Sequence, residues 1–169
     1  VAFMCHWCSY GGADMAGTSH FEYPADSSGI RVMCSARMDQ DFVLEAFRRG
    51  AGMVLLSGCH PQDCHYITGQ QVAAKRFDRL QDQIQRLGIS PERFRIEWIS
   101  AAEGEKYARV ITEMSETLKG LDREQILSEN RGARDAIERR LRRWKASPQM
   151  AELMAVGADE LPGGEELDR

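Results

Sequence analysis

Met53-Val54-Leu55-Leu56-Ser57-Gly58-Cys59-His60-Pro61-Gln62-Asp63-Cys64-His65 is the stretch from which the rest of the chain can be read. Its first four residues form a short, branched-rich apolar run bounded by glycines, which predicts a buried strand. The loop that follows brings two thiols, Cys59 and Cys64, just past the strand end. The same arrangement recurs upstream, where Cys5 and Cys8 follow Val1-Ala2-Phe3-Met4 and Cys34 follows Ile30-Arg31-Val32-Met33. All five cysteines of the chain thus lie at exits of predicted strands. In a parallel sheet those exits share one edge, which is where open α/β folds place their ligands.

Working outward from that stretch, strand and helix alternate. Asp39 is a predicted cap for a helix that carries Phe42, Val43, Ala46 and Phe47 on one face and stops at Gly50. After the cysteine loop, Gln70 to Leu87 reads as a helix with Val72, Phe77, Leu80, Ile84 and Leu87 as its apolar stripe, ended by Gly88. Phe94 to Ile99 alternates as a fourth strand. Ser100 and Glu103 form a capping-box pattern for a helix running to about Lys119. The glycine-rich segment after Cys8 lacks both the dinucleotide fingerprint and the Walker lysine. Its small residues are read as permitting close approach to a neighbouring group, and Gly11-Gly12 as arguing against a helix there. The expected architecture is α/β: a small open, mainly parallel four-stranded sheet with covering helices, plus a C-terminal helical extension.

Composition narrows the function classes. A length of 169 residues suits one domain with an appendage, and a net charge of −4 spread along the chain gives no case for a nucleic-acid binder. No apolar run is long enough to span a bilayer, so no membrane partner is expected. An odd number of cysteines excludes a complete disulfide framework within one chain and points to metal or redox chemistry in the cytoplasm. The Val1 start is read as following a missing segment or a fusion to a larger protein. Beyond Gly120 the composition changes: Leu121 to Lys145 is helical in pattern, with Ile126, Ala133, Ile137, Leu141 and Trp144 as a narrow stripe and a basic cluster at Arg139, Arg140, Arg142, Arg143 and Lys145. The expected division is therefore 1–120, a metal-binding α/β domain, and 121–169, a helical extension with a short helix near 150–156 and an acidic tail.

Thiolates are soft ligands for zinc, Cu(I) or iron–sulfur clusters, so the residue types leave several chemistries open. Four thiolates can hold a 2Fe–2S cluster. A Cys/His mixture using His60 or His65 can hold structural zinc. Cys5-His6-Trp7-Cys8 can act alone as a dithiol, although that reading requires a helix opening at Cys8. The adjacent histidines, His6, His60 and His65, are read as hydrogen-bonding around the sulfurs rather than ligating, with Arg37 and His20 either similar or solvent-facing. No Ser/His/Asp arrangement, paired carboxylates or cofactor fingerprint suggests catalysis by the chain itself.

At Cys5-His6-Trp7-Cys8-Ser9-Tyr10, Arg31-Val32-Met33-Cys34-Ser35, Gly58-Cys59-His60-Pro61-x-Asp63-Cys64-His65-Tyr66 and Glu97-Trp98-Ile99-Ser100-Ala101-x-Glu103-Gly104, the chain resembles the delta subunit of the methyl-viologen-reducing nickel–iron hydrogenase. The resemblance runs from residue 1 to about Leu118. It implies a non-catalytic electron-transfer subunit carrying one 2Fe–2S cluster. It further implies relay of electrons between a hydrogenase or formate dehydrogenase and the flavoprotein subunit of a heterodisulfide reductase, as in the methanogenesis of anaerobes. The alternative from another class is a structural zinc module used for assembly. With five thiols for four positions, the expected ligands are Cys8, Cys34, Cys59 and Cys64. Cys5 directly ends an apolar run and is read as the buried, non-ligating thiol or an alternative ligand.

Overall fold

Two of the apolar runs, β1 (Ala2–Cys5) and β3 (Val54–Gly58), pair in parallel at the centre of the sheet, Phe3 opposite Leu56. Both are buried along their whole length, which is why they read as continuous apolar runs rather than alternating ones. The computed structural model describes residues 1–145 and flanks this pair with β2 (Gly29–Val32) on one side and β4 (Phe94–Trp98) on the other. The order is β2-β1-β3-β4 and every pairing is parallel. The chain therefore reverses its winding between β1 and β3, the position where an open α/β sheet leaves a crevice beyond its strand ends.

Helices cover both faces. On one side α1 (Ser9–Thr18) packs against α4 (Gly104–Gly120), over Ala2, Met4, Leu55 and Ile99. On the other, α2 (Gln40–Arg48), α3 (Gly69–Arg86) and α5 (Arg123–Lys145) enclose Phe3, Val54, Leu56 and Phe94. Asp39 caps α2 by accepting the Asp41 N–H at 3.0 Å, as its position predicts. Gly50 and Gly88 follow α2 and α3 with φ of 100° and 78°, conformations that side-chain-bearing residues resist.

Three local expectations differ from the structure. Residues 9–18 form a helix despite Gly11 and Gly12, because packing outweighs propensity there. A Cβ on Gly12 would sit 2.8 Å from the Ser100 carbonyl oxygen, and one on Gly104 would sit 2.8 Å from the Ala16 nitrogen, so glycines on both helices let α1 and α4 approach closely. The last helix of the 1–120 region begins at Gly104 rather than after Ser100, although Glu103 still accepts the Ser100 N–H at 2.7 Å. Phe42 and Val72, read as core-facing, are exposed; Leu44 and Ala73 take the inward positions instead.

The C-terminal helix α5 is inserted into the same core rather than lying free. Ala133 and Ile137 are buried beside Leu44, Phe47 and Ile84. Arg140 of the basic cluster bonds Asp41 on α2 and Gln83 on α3. The expected short helix near 150–156 and the acidic tail lie outside the described residues. Among the described residues no helix is long and apolar enough to cross a membrane.

Candidate metal centre

The strand ends deliver the thiols to one place. Cys5 closes β1, Cys8 occupies the cap position of α1, and Cys59 follows the last residue of β3. Because β1 and β3 are neighbours, the sulfurs of Cys5, Cys8 and Cys59 all lie within 4.8 Å of one another. Cys5 Sγ and Cys59 Sγ are 3.9 Å apart, close to the roughly 3.7 Å edge of a tetrahedron with metal–sulfur bonds of about 2.3 Å. Cys64 packs against this trio and accepts the Gln70 N–H at 3.3 Å. Cys34, at the exit of β2, lies with Cys64 against Gly69. A Cβ on Gly69 would be 2.9 Å from Cys34 Sγ and 3.2 Å from Cys64 Sγ. All five thiols are free and four of them are buried.

Backbone and side chains lock this arrangement. Ser9 Oγ accepts the Cys5 N–H at 3.0 Å and donates to the Ser57 carbonyl at 3.1 Å, joining β1, α1 and β3 under the trio. α1 opens directly after Cys8 and α3 opens beside Cys34 and Cys64, with the Gln70 N–H donating to Cys64 Sγ, so two helix N-termini, which favour negative charge, adjoin the sulfurs. The trio cannot ionise fully without a metal. Hydrogen bonds from Cys59 and Cys8 draw the Cys5 thiol far below its ordinary value, while the bond to Cys5 pushes Cys8 up and raises Cys59 to about 11. Thiolates this close repel one another, and a bound cation would relieve that repulsion.

Around the sulfurs, Trp7 and the Cys59–Cys64 loop are clasped together. The Trp7 ring stacks on His65 at 3.9 Å, and Trp7 Nε1 donates to the Tyr66 hydroxyl at 3.0 Å. His60 Nε2 pairs with Glu103 at 2.6 Å, tying the same loop to the start of α4, and His65 reaches Cys59 through its backbone N–H. His6 Nδ1 is buried with no hydrogen-bond partner among the described residues. Arg37 is exposed at the edge of the site, and His20 lies at the opposite end of α1. The Trp7–Tyr66 clasp and Gly69 were not singled out from the sequence. Gly69 leaves one sequence signal, a glycine just before the helix at Gln70, and only the fold shows that it marks close approach rather than a turn.

Replacing Gly69 by alanine is expected to change the electronic spectrum of any metal held here, because the new methyl must displace Cys34 or Cys64. Overpacking of this kind costs about 1–3 kcal/mol. Gly17→Ala, on α1 with nothing within 4 Å of the added carbon, is the control and should leave the spectrum unchanged. Identical EPR line shapes for the two variants would show that Gly69 does not border the metal.

A parallel four-stranded domain whose strand ends gather five thiols, four of them buried, at the winding reversal has the class of site that could hold a metal through thiolates from several loops. α1 does open directly after Cys8, so the objection to a Cys5/Cys8 dithiol from the absence of a helix no longer stands. Residues 1–122 match the family described as "Methyl-viologen-reducing hydrogenase, delta subunit", and the chain belongs to that family. It is 50% identical over 119 residues to a ferredoxin:CoB-CoM heterodisulfide reductase subunit of Methanosarcina mazei, a match covering 70% of this chain and 15% of that one. It is 46% identical over 121 residues to the iron-sulfur subunit of the vhc F420-non-reducing hydrogenase of Methanococcus voltae, covering 72% of this chain and 84% of the relative. The iron-sulfur subunit of the F420-non-reducing hydrogenase of Archaeoglobus profundus is also 46% identical over 121 residues, covering 72% and 88%. The chain thus spans 15% of the length of the reductase subunit and most of the length of the hydrogenase subunits.

Proposed function

We propose that the chain is an electron-transfer subunit holding one 2Fe–2S cluster, and that it relays electrons between a hydrogenase or formate dehydrogenase and the flavoprotein subunit of a heterodisulfide reductase complex. The observation that carries this reading is the convergence of five free thiols at one sheet edge in a chain whose relatives are named iron–sulfur subunits. Bound at that edge, the cluster would supply reversible one-electron chemistry. The chain's own residues do the rest. Cys8, Cys59 and Cys64 supply thiolates from two loops, Ser9 fixes the strand ends beneath them, and the α1 and α3 N-termini offset their charge. The fourth thiolate comes from Cys5 or from Cys34. The 3.9 Å separation of Cys5 and Cys59 supports Cys5, which the sequence reading sets aside in favour of Cys8 while counting Cys34 as a ligand. The thiols lie within residues 1–120, with α5 beyond them completing that unit's core, and five free thiols fit a cytoplasmic protein.

A structural zinc site is the rival, favoured by the same tight sulfur trio. Anaerobic purification separates the two. The electron-transfer reading expects a coloured protein with iron and acid-labile sulfide in equal amounts and an EPR signal after dithionite reduction. A colourless, zinc-loaded protein sinks it.

A further inference from the structure

Beside the metal centre, an open groove of about 810 Å³ runs from Cys34 between Met33, Phe42, Tyr66 and Val72. Two of its walls are unusual for their sequence context. Phe42 and Val72 continue the apolar faces of α2 and α3, yet both remain exposed, so the core does not use them. At the rim Ile67 is the most exposed large hydrophobic among the described residues, at 81%, and it adopts φ of +66°. A β-branched residue in the left-handed region is strained, and strain of this kind clusters at functional sites. Bonds from Ile67 N–H to the Cys64 carbonyl and from Thr68 N–H to the Tyr66 carbonyl hold the turn in place.

Past Val72 the groove continues into a basic stretch lined by Lys75, Arg76, Arg79 and Arg140, with Asp39 as its one acid. Arg37 adds a further cation at the junction. Arg76 is pinned by the Ala36 and Met38 carbonyls and Arg140 by Asp41, so these charges are fixed in space. No carboxylate among the described residues pairs with Arg37, Lys75, Arg76 or Arg79. In a chain of net charge −4 this is a local reversal of sign.

We propose that this groove is the docking face for an electron-carrier protein whose contact surface is apolar at the centre and acidic at the rim; this rests on the electron-transfer reading above. The apolar walls bring such a partner against Cys34 and the Cys64 turn, which bounds the path an electron must cross. The cations of α3 steer and orient it, a contribution that appears mainly in association rate and salt dependence. The strained Ile67 tip supplies a preorganised apolar anchor of the kind that dominates interface energetics.

The test uses the full chain, anaerobically loaded, with a two-cluster bacterial-type ferredoxin as the acidic carrier. Affinity is measured by calorimetry and electron transfer by stopped-flow bleaching, at low salt and at about 0.5 M salt. Two variants are compared with the unchanged chain: Lys75→Glu/Arg79→Glu and Ile67→Gly. Each is expected to weaken ferredoxin binding about tenfold or more, with the charge-reversal variant also losing most of its salt dependence. Reduction by dithionite should be unchanged in both, and Ile67→Gly should unfold at higher denaturant because glycine relieves the strain. Equal binding by all three proteins, no binding of ferredoxin at low salt, or Ile67-dependent self-association in its place would overturn the assignment. A protein without a chromophore would instead refute the electron-transfer reading, and calorimetry would still decide the docking face.

Discussion

Serine at position 59 is expected to abolish the visible absorption and the dithionite-reduced EPR signal of the anaerobically purified protein. Cys59 follows the strand that pairs with β1, stands in the sulfur trio, and belongs to either candidate ligand set. An alcohol at that point is a poor ligand for iron beside soft thiolates, so the loss should be complete rather than graded. Cys8→Ser and Cys64→Ser should behave alike. The informative pair is Cys5→Ser and Cys34→Ser. With Cys5 as fourth ligand, its serine variant loses the signal while Cys34→Ser retains an altered one; the reverse outcome would assign Cys34. Far-UV circular dichroism keeps the reading clean, because exchanging one buried sulfur for oxygen should leave the helices of a pre-folded sheet in place. A Cys59→Ser protein with full absorption would show that the metal, if any, is held elsewhere.

Removing residues after Gly120 is expected to unfold the protein rather than merely detach an appendage. Arg93 is fully buried, and α5 supplies its countercharge. Arg93 Nη1 contacts Glu129 at 2.6 Å and Nη2 donates to Asn130 Oδ1 at 2.8 Å, while Nε donates to the Gly52 carbonyl at 2.7 Å. Breaking a buried pair from one side costs about 3–5 kcal/mol. Loss of Ile137 from the core adds about 1.5–3 kcal/mol, and together these approach the whole stability of an ordinary domain. Glu129→Ala isolates the first part and should lower the urea midpoint sharply without touching the metal centre. The pH dependence carries the same signature. Burial pushes the Glu129 carboxyl up, but bonds from Ser90, Gln125 and Arg93 outweigh it and hold the group at about 2. A folded value below the unfolded one stabilises above about pH 4.3 and is lost as pH falls toward 2. Glu129→Gln should therefore flatten the urea midpoint across that window. A truncated chain that stays folded and coloured would show that α5 is dispensable to the core.

Much of this protein was legible before folding, and the reason is local. Buried parallel strands show as unbroken apolar runs, so β1 and β3 and their cysteine-bearing exits could be read directly, as could the Asp39 cap and the glycine stops of α2 and α3. The alternation of strand and helix then confines all five thiols to one edge. What the tertiary structure alone decided is which of them meet. The β2-β1-β3-β4 order seats Cys5, Cys8 and Cys59 together at the winding reversal and places Cys34 with Cys64 beside Gly69, a choice among strand orders on which residue periodicity is silent. The helix at residues 9–18 likewise exists because α4 accepts its glycines, a contact across some ninety residues that no local propensity records. Phe42 and Val72 carry the same lesson in reverse: helical period assigns a face, but only the packing of neighbouring helices determines where the buried part of that face ends. Arg93 is the extreme case, a charge that sequence patterning assigns to solvent and that becomes buried because Glu129, Asn130 and two backbone carbonyls, all distant in the chain, converge to receive it.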